Sequence, residues 1–281
     1  MNKWYAKGKI DSVKIIKNEN GDVRLDIPDT IASNLPPVSI VTITKDRSKF
    51  AGLMLYNWNS YKYPPEKLEW VIVDDSQDPK ENLAQYLPID SRINYIKLKE
   101  WMPVAAKRNF AIEKTKYDII CFNDDDDIYD PMSIVAKVRT LEHYKKDVCF
   151  SAPFGVYDLM QDTSYIFDIG IDKFGKESNA IAEAGLAFRK RYWRKNKFSS
   201  TSKNGTGEGP SFIKKNFSFC IKIPFMFNFI SLTHSVNITG QSRRFHNVPE
   251  SEKQKAGDFK KIFSPDLLYI LENTKQLLLQ N

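Results

Sequence analysis

DIICFNDDDDIYDP, residues 118–131, decides how the chain is to be read. The apolar residues Ile119 to Phe122 run without interruption towards four aspartates, Asp124 to Asp127. Such a run fits a strand buried on both faces of a parallel sheet, with the carboxylates at its C-terminal end. The same pattern recurs upstream. VSIVTIT, residues 38–44, leads into Lys45-Asp46-Arg47, and LEWVIV, residues 68–73, leads into Asp74-Asp75-Ser76-Gln77-Asp78. A shorter strand is expected over 93–98. Between them lie helical spacings. Phe50, Leu53, Met54 and Trp58 mark one helix, and VAAKRNFAIEKT (104–115) follows Pro103, where a first turn tolerates proline. Pro131 opens another helix through about Tyr144. This alternation predicts right-handed βαβ units, hence an α/β, Rossmann-like, mainly parallel sheet flanked by helices. Ligands of such sheets bind beyond the carboxyl ends of the strands, where the acidic residues collect.

The flanks read differently. Residues 1–36 form a short N-terminal extension, with strands expected over 10–16 and 23–27 around an Asn20-Gly21 turn. Residues 37–147 form the first half of the domain, and residues 148–250 a looser second half of the same domain. In that second half, strands are expected over 148–153, over 165–169 and within 219–229, and residues 199–209 form a Ser/Thr/Gly-rich loop. Residues 251–281 make a C-terminal helical tail, its helix running from Ser264 to Leu279 behind a Ser-Pro-Asp cap.

With 42% hydrophobic and 13% aromatic residues, the 281-residue chain can bury a core and is not disordered. The net charge of +7 is dispersed, which argues against nucleic acid as partner and suits a diphosphate donor or a membrane-borne acceptor. Cys121, Cys149 and Cys220 are odd in number, far apart and free of any CxxC pair. They read as buried thiols in a reducing, cytoplasmic compartment. The N-terminus lacks a signal-like apolar core, and the apolar stretch 221–232 is broken by Lys222, Pro224 and Asn228. No transmembrane segment is expected; the protein is soluble or peripheral to a membrane.

Four adjacent carboxylates repel one another, and a divalent cation, Mn²⁺ or Mg²⁺, is the economical way to hold them together. In an extended segment Asp124 and Asp126 share a face and can address one ligand. The plain alternative is an exposed acidic turn before a capped helix. Asp74 and Asp75 could be a second acidic site, could recognise a base or ribose, or could form an Asx-turn with Ser76 and Asp78. Arg108 suits a phosphate or the acidic cluster, or belongs to a surface pair with Lys107. His234, in LTHSVN, is a metal ligand or a structural histidine.

Taken together, PPVSIVTITKDR, VIVDDSQD and AAKRNFAIEKTKYDIICFNDDDDIYDP resemble the nucleotide-sugar domain of family 2-like glycosyltransferases with the GT-A fold, in order, over residues 38–145. The resemblance implies that Thr42, Thr44 and Arg47 line the nucleotide pocket. It places Asp75 on the base with Asp74 beside it, and Arg108 near the nucleotide. Asp124-Asp125-Asp126 resembles the DxD motif, the first Asp approaching the ribose and Asp126 holding the cation that bridges the diphosphate. Asp127 completes the acidic ending. In the second half, Glu208 stands where the family's catalytic base is found, with Gly209 replacing the Asp of the usual Glu-Asp pair. Failing Glu208, the nearest acceptor-side carboxylates are Asp168 and Asp172. Residues 185–193 resemble the acceptor-side segment, and His234 a late metal ligand. The implied activity is metal-dependent, inverting transfer from a nucleotide-diphospho-sugar, a UDP-sugar foremost, to a hydroxyl of a glycan, protein or lipid. The rival readings are a non-catalytic nucleotide- or carbohydrate-binding module and a sugar nucleotidyltransferase. A dehalogenase-type phosphatase fits poorly, because its acidic motif ends the first strand of its domain rather than the fourth.

Overall fold

A computed structural model describes residues 10–17, 21–28, 34–167, 181–199, 208–213, 217–237 and 256–280. Strands β1 (Ile15–Lys17) and β2 (Val23–Leu25) pair antiparallel at the surface. β1 starts later than its sequence suggests because Ile10 and Val13 are buried against the core instead. Gly21 takes a φ of +86°, which glycine adopts without steric cost, whereas Asn20 lies outside the described residues.

The continuous apolar runs become β3 (Val38–Thr44), β4 (Leu68–Asp74), β5 (Ile93–Lys97) and β6 (Ile119–Phe122). These four are parallel, in the order β5-β4-β3-β6. Beyond them the chain forms β7 (Ile128–Tyr129), β8 (Val148–Phe150), β9 (Phe154–Asp158), β10 (Thr163–Phe167), β11 (Ala187–Arg189), β12 (Cys220–Lys222) and β13 (Phe229–Thr233). Strands β11, β8 and β12 extend the sheet to seven. β11 runs antiparallel to both its neighbours, β6 and β8. The sheet is therefore mixed, mostly parallel and flanked by helices, as the alternation of strands and helices predicts.

Helices α1 (Ala51–Ser60) and α3 (Ser133–His143) cover one face, and α2 (Val104–Glu113), α4 (Lys190–Lys195) and α5 (Glu208–Ile213) the other. Residues alternate between the faces along each strand. Ile40, Trp70 and Cys121 meet Met54, Trp58 and Ile134, whereas Val41, Val71 and Ile120 meet Ala111, Ile112 and Phe212. Trp58 stacks on Trp70 with ring centroids 5.3 Å apart. Each large apolar side chain so buried contributes about 1.5–3 kcal/mol.

The second half adds a four-stranded sheet, β10-β9-β13-β7, in which β13 lies parallel to β9 and antiparallel to β7. Helix α6 (Pro265–Leu279) joins the same apolar cluster through Leu267, Leu271 and Leu278. Its expected cap is present, the Ser264 hydroxyl accepting from the Leu267 N–H at 3.1 Å. β10 is observed to Phe167; residues 168–169 of the expected strand and residues 200–207 of the expected loop lie outside the described residues. All three cysteines are buried. Among the described residues no helix is long and apolar enough to cross a membrane.

Candidate active site

The C-terminal edge of β3, β4 and β6 gathers the polar residues. After β6 the chain is not extended as the sequence reading supposes but turns at Asp125 and Asp126, and its aspartates differ in burial. Asp125 and Asp127 turn inward, while Asp124 keeps 30% of its side-chain surface exposed and Asp126 14%. Asp127 is structural. Its carboxylate accepts the Leu232 N–H at 2.8 Å, and its carbonyl accepts from the Asn57 amide at 2.9 Å, which pins the acidic turn to β13 and α1.

Each outward aspartate faces an arginine. Arg108, on α2, is buried; its NH1 lies 3.7 Å from Asp124 and its Nε 3.1 Å from Glu208 Oε2, with the guanidinium over the Phe122 ring. Arg47, after β3, places NH1 3.4 Å from Asp126 Oδ2. His234, fully buried after β13, brings Nε2 to 2.9 Å from that oxygen, and the Asn237 amide reaches it at 3.2 Å. Burial lifts the Asp124 carboxyl to about 6 despite Arg108. Burial and the neighbouring Asp126 likewise drive Asp125 up. Burial would raise Asp126 too, but the His234 hydrogen bond and Arg47 outweigh it and hold this carboxyl below the usual range. The site thus separates its carboxylates by environment.

Asp74 and Asp75 are both fully buried and engaged within the chain. Asp74 accepts from the Ser76 N–H at 2.7 Å, the Ser76 hydroxyl at 2.5 Å and the Tyr95 hydroxyl at 2.7 Å, with Lys97 nearby; the turn with Ser76 that the sequence allows is formed. Asp75 accepts from Lys107 Nζ and from the Met102 N–H at 2.9 Å. Lys107 and Arg108 are not a surface pair: both are buried, and each meets a carboxylate. Thr42 points to the α1 side, where its hydroxyl donates to the Asn123 carbonyl at 2.7 Å and accepts from Trp70 Nε1. The Thr44 carbonyl accepts from Lys107 Nζ at 3.2 Å.

Glu208 opens α5 and is only 2% exposed. Burial raises its carboxyl, with Arg108 pulling the other way. Beside it stands Glu183, which sequence reading passes over. Glu183 lies on the single turn Glu183–Gly185 that precedes β11, and its Oε1 accepts the Gly209 N–H at 2.5 Å. Tyr129 ties this turn to the acidic cluster: its hydroxyl accepts the Asp124 N–H at 2.7 Å and donates to the Ala184 carbonyl at 3.2 Å. Asn109, next to Arg108, joins the two halves by accepting from Trp193 Nε1 and donating to the Phe198 carbonyl, both at 2.9 Å. No motif marks Glu183; Tyr129 lies inside the stretch 118–131 without being singled out there, and Lys107 and Asn109 adjoin Arg108, which is. Asp168 and Asp172 lie outside the described residues.

The fold is of the GT-A type, with its polar side chains gathered at the C-terminal edge of the parallel strands. Residues 39–232 match the model of Glycosyl transferase family 2, and the chain belongs to that family. No match was found among curated protein sequences. The solved structure of S. aureus TarS 1-349 in complex with UDP-GlcNAc is similar, with a TM-score of 0.55 at 12% identity over 72% of this chain and 60% of that one. The mannosyltransferase PcManGT from Pyrobaculum calidifontis, in complex with GDP-Man and Mn2+, has a TM-score of 0.53 at 17% identity over 87% of this chain and 70% of that one. At such identities the likeness concerns the fold. The chain spans less than two thirds of the TarS fragment.

Proposed function

We propose that the protein transfers a sugar from a nucleoside-diphosphate-sugar to an acceptor hydroxyl, with inversion and with help from a divalent cation. The observation that carries this reading is the pairing of Asp124 and Asp126 with Arg108 and Arg47 at the C-terminal edge of the parallel strands. An edge with both acidic and basic groups suits a ligand that is itself an anion neutralised by a cation.

The donor set fits such a cation. Asp126 Oδ2 and His234 Nε2 are 2.9 Å apart. Two adjacent ligands of an octahedral ion, each bonded at about 2.1 Å, are separated by about 3 Å. Among the described residues no group of three His, Cys, Asp or Glu side chains converges on one metal position. That suits Mn²⁺ or Mg²⁺, which take one or two protein ligands and complete their shell with phosphate oxygens and water. Asp126 and His234 would hold the ion, and when bound it would offset the charge of the leaving diphosphate.

The chain's own residues do the rest. Arg108, fixed between Asp124 and Glu208, holds positive charge beside the position of the phosphates, and Arg47 supplies it on the Asp126 side. Asp124, the more open aspartate, faces the ribose. Thr42, Thr44, Asp74 and Asp75 shape the nucleotide pocket through the bonds they make inside it. The acceptor enters from the 148–250 half, and its proton passes to a carboxylate at the head of α5, where Glu208 and Glu183 stand together. Acceptor classes are a glycan, protein or lipid hydroxyl. Three widely spaced cysteines with no CxxC pair suit a reducing compartment, with the protein soluble or at a membrane surface.

The test is thermal shift and nucleoside-diphosphate release with UDP-GlcNAc and GDP-Man, each with and without Mn²⁺. A donor that binds only the folded chain raises its midpoint. We expect a cation-dependent rise, with release stimulated by acceptor. Binding without release, whatever the acceptor, would make the chain a binding module, and free pyrophosphate formed from sugar phosphate and nucleoside triphosphate would make it a nucleotidyltransferase.

A further inference from the structure

Two carboxylates, Glu208 and Glu183, meet at the start of α5, and their settings differ. Glu208 is enclosed: Oε2 bonds Arg108, and Oε1 is buried with no hydrogen-bond partner among the described residues. A hydroxyl would have to displace α5 or Arg108 to reach it. Glu183 is half-buried. Its Oε1 is fixed by the Gly209 N–H, and among the described residues nothing bonds Oε2. The turn that carries it is clamped. The Gly185 carbonyl accepts from the Asn228 amide at 3.0 Å, a Cβ at 185 would meet the Phe229 ring at 2.5 Å, and Tyr129 holds the Ala184 carbonyl. The antiparallel register pairs Ala187 with Cys121, and the Phe122 N–H bonds the Leu186 carbonyl. The residues before β11 therefore lie beside those after β6, and Glu183 comes level with the acidic cluster. Its charge acts on Arg108, Asp124 and Glu208 alike.

Gly209 completes the arrangement. A Cβ there would stand 2.8 Å from Glu183 Oε1 and 3.1 Å from Ile181. The Glu183 carboxylate thus occupies the space that a side chain at 209 would enter, and its anchor is the backbone N–H of the same residue.

Resting on the transferase reading above, we infer that Glu183 is the catalytic base, with Glu208 a positioning residue that holds Arg108. The acceptor O–H bond breaks as its proton passes to Glu183 Oε2. The electron pair left on oxygen forms the bond to the anomeric carbon, and the bond from that carbon to the diphosphate breaks with its pair leaving on the nucleoside diphosphate. Glu183 then returns the proton to solvent.

The experiment compares Glu183→Gln, Glu208→Gln and wild type on whichever of UDP-GlcNAc and GDP-Man the wild type turns over. Azide serves as an alternative nucleophile because it has no proton to lose. Glu183→Gln should lose about 10²–10⁴-fold in transfer to a hydroxyl, keep donor affinity and keep azide-driven nucleoside-diphosphate release. Glu208→Gln should weaken donor binding together with transfer, because Arg108 loses its anchor. Transfer by Glu183→Gln within about three-fold of wild type overturns the inference, as does an equal loss with hydroxyl and azide. A Glu208→Gln variant that alone loses hydroxyl transfer while binding donor normally moves the base to Glu208. If Glu183→Gln fails to fold, Gly209→Ala serves, since its Cβ displaces the carboxylate without removing it. It should lower kcat at least about ten-fold at unchanged donor affinity, and an unchanged kcat refutes the assignment. A wild type that releases no nucleoside diphosphate from any donor sinks the transferase reading itself, which is a different result from a wild type that transfers alongside an equally active Glu183→Gln.

Discussion

Tyr129→Phe removes one oxygen atom and tests whether the acidic cluster and the Glu183 turn are held as one unit. The hydroxyl accepts the Asp124 N–H at 2.7 Å and donates to the Ala184 carbonyl at 3.2 Å, and the side chain is almost wholly buried. Phenylalanine keeps the ring, which stacks on Phe229 with centroids 6.1 Å apart, so little packing is lost. What changes is polar. A neutral hydrogen bond contributes about 0.5–1.5 kcal/mol net, and a buried group left without its partner costs about 1–3 kcal/mol. The longer bond to Ala184 is the weaker of the two, and Asp124 lies nearer solvent, so the expected loss is about 2–3 kcal/mol. For a chain of this size that lowers the thermal midpoint by about 3–5 °C. Urea unfolding should show the midpoint shifted with its slope unchanged, since the exposed surface is the same in both proteins. A loss below about 0.5 kcal/mol would mean that water or a neighbour replaces the hydroxyl, and that Tyr129 does not tie the two segments together.

Three further outcomes are expected. Asp126→Asn should abolish Mn²⁺-dependent binding of nucleoside diphosphate in calorimetry while the fold survives, and undiminished binding in EDTA would remove the cation from the reading. Lys107→Met leaves Asp75 buried without its ammonium and should cost about 3–5 kcal/mol in urea unfolding, part of which returns when Asp75→Leu is added; additive single effects would refute the pairing. Asp74→Asn should destabilise at neutral pH by about 1–3 kcal/mol, because the Ser76 and Tyr95 bonds are made to a carboxylate. Burial raises that carboxyl, but those bonds and Lys97 hold it below its ordinary 3.8, so its stabilisation is complete above that pH and fades as pH falls through the folded value. The gap between variant and wild type should therefore close in acid, and a gap constant from pH 7 to pH 3 would contradict the assignment.

The first half of the fold was legible because its strands announce themselves. Val38–Thr44 and Leu68–Asp74 are buried on both faces and therefore largely apolar, Ser39 and Glu69 bonding each other between them, and each leads into a polar turn. The second sheet was not. β7 has two residues, and β13 pairs with β7 and β9 from the far side of the sequence, so local pattern carries no trace of either contact. β11 is hidden in a segment read as acceptor-side, its three residues too few for a period. Arg108, Asp126 and His234 were visible as residue types, and the structure brings them to the same edge. Lys107 looked like a solvated charge because its burial depends on Asp75, more than thirty positions away. Glu183 is an isolated acid in the small-residue stretch AEAG, and only the antiparallel register of β11 carries it to the cluster.

The pairing of Ile128 with Ile230 has a consequence for how the protein is made. About a hundred residues separate the two, which at ordinary elongation rates is about 5–20 s of synthesis. During that interval the nascent chain already carries the aspartates, but the Leu232 N–H that fixes Asp127 does not yet exist. The edge of β9 to which β13 later docks is equally bare, and an unpaired strand edge invites pairing with another chain. A ribosome stalled before residue 229, or a fragment cut there, would hold the acidic strand end without its clasp. Such a piece should be sticky rather than active, and the long chain closure should make this protein a slow folder.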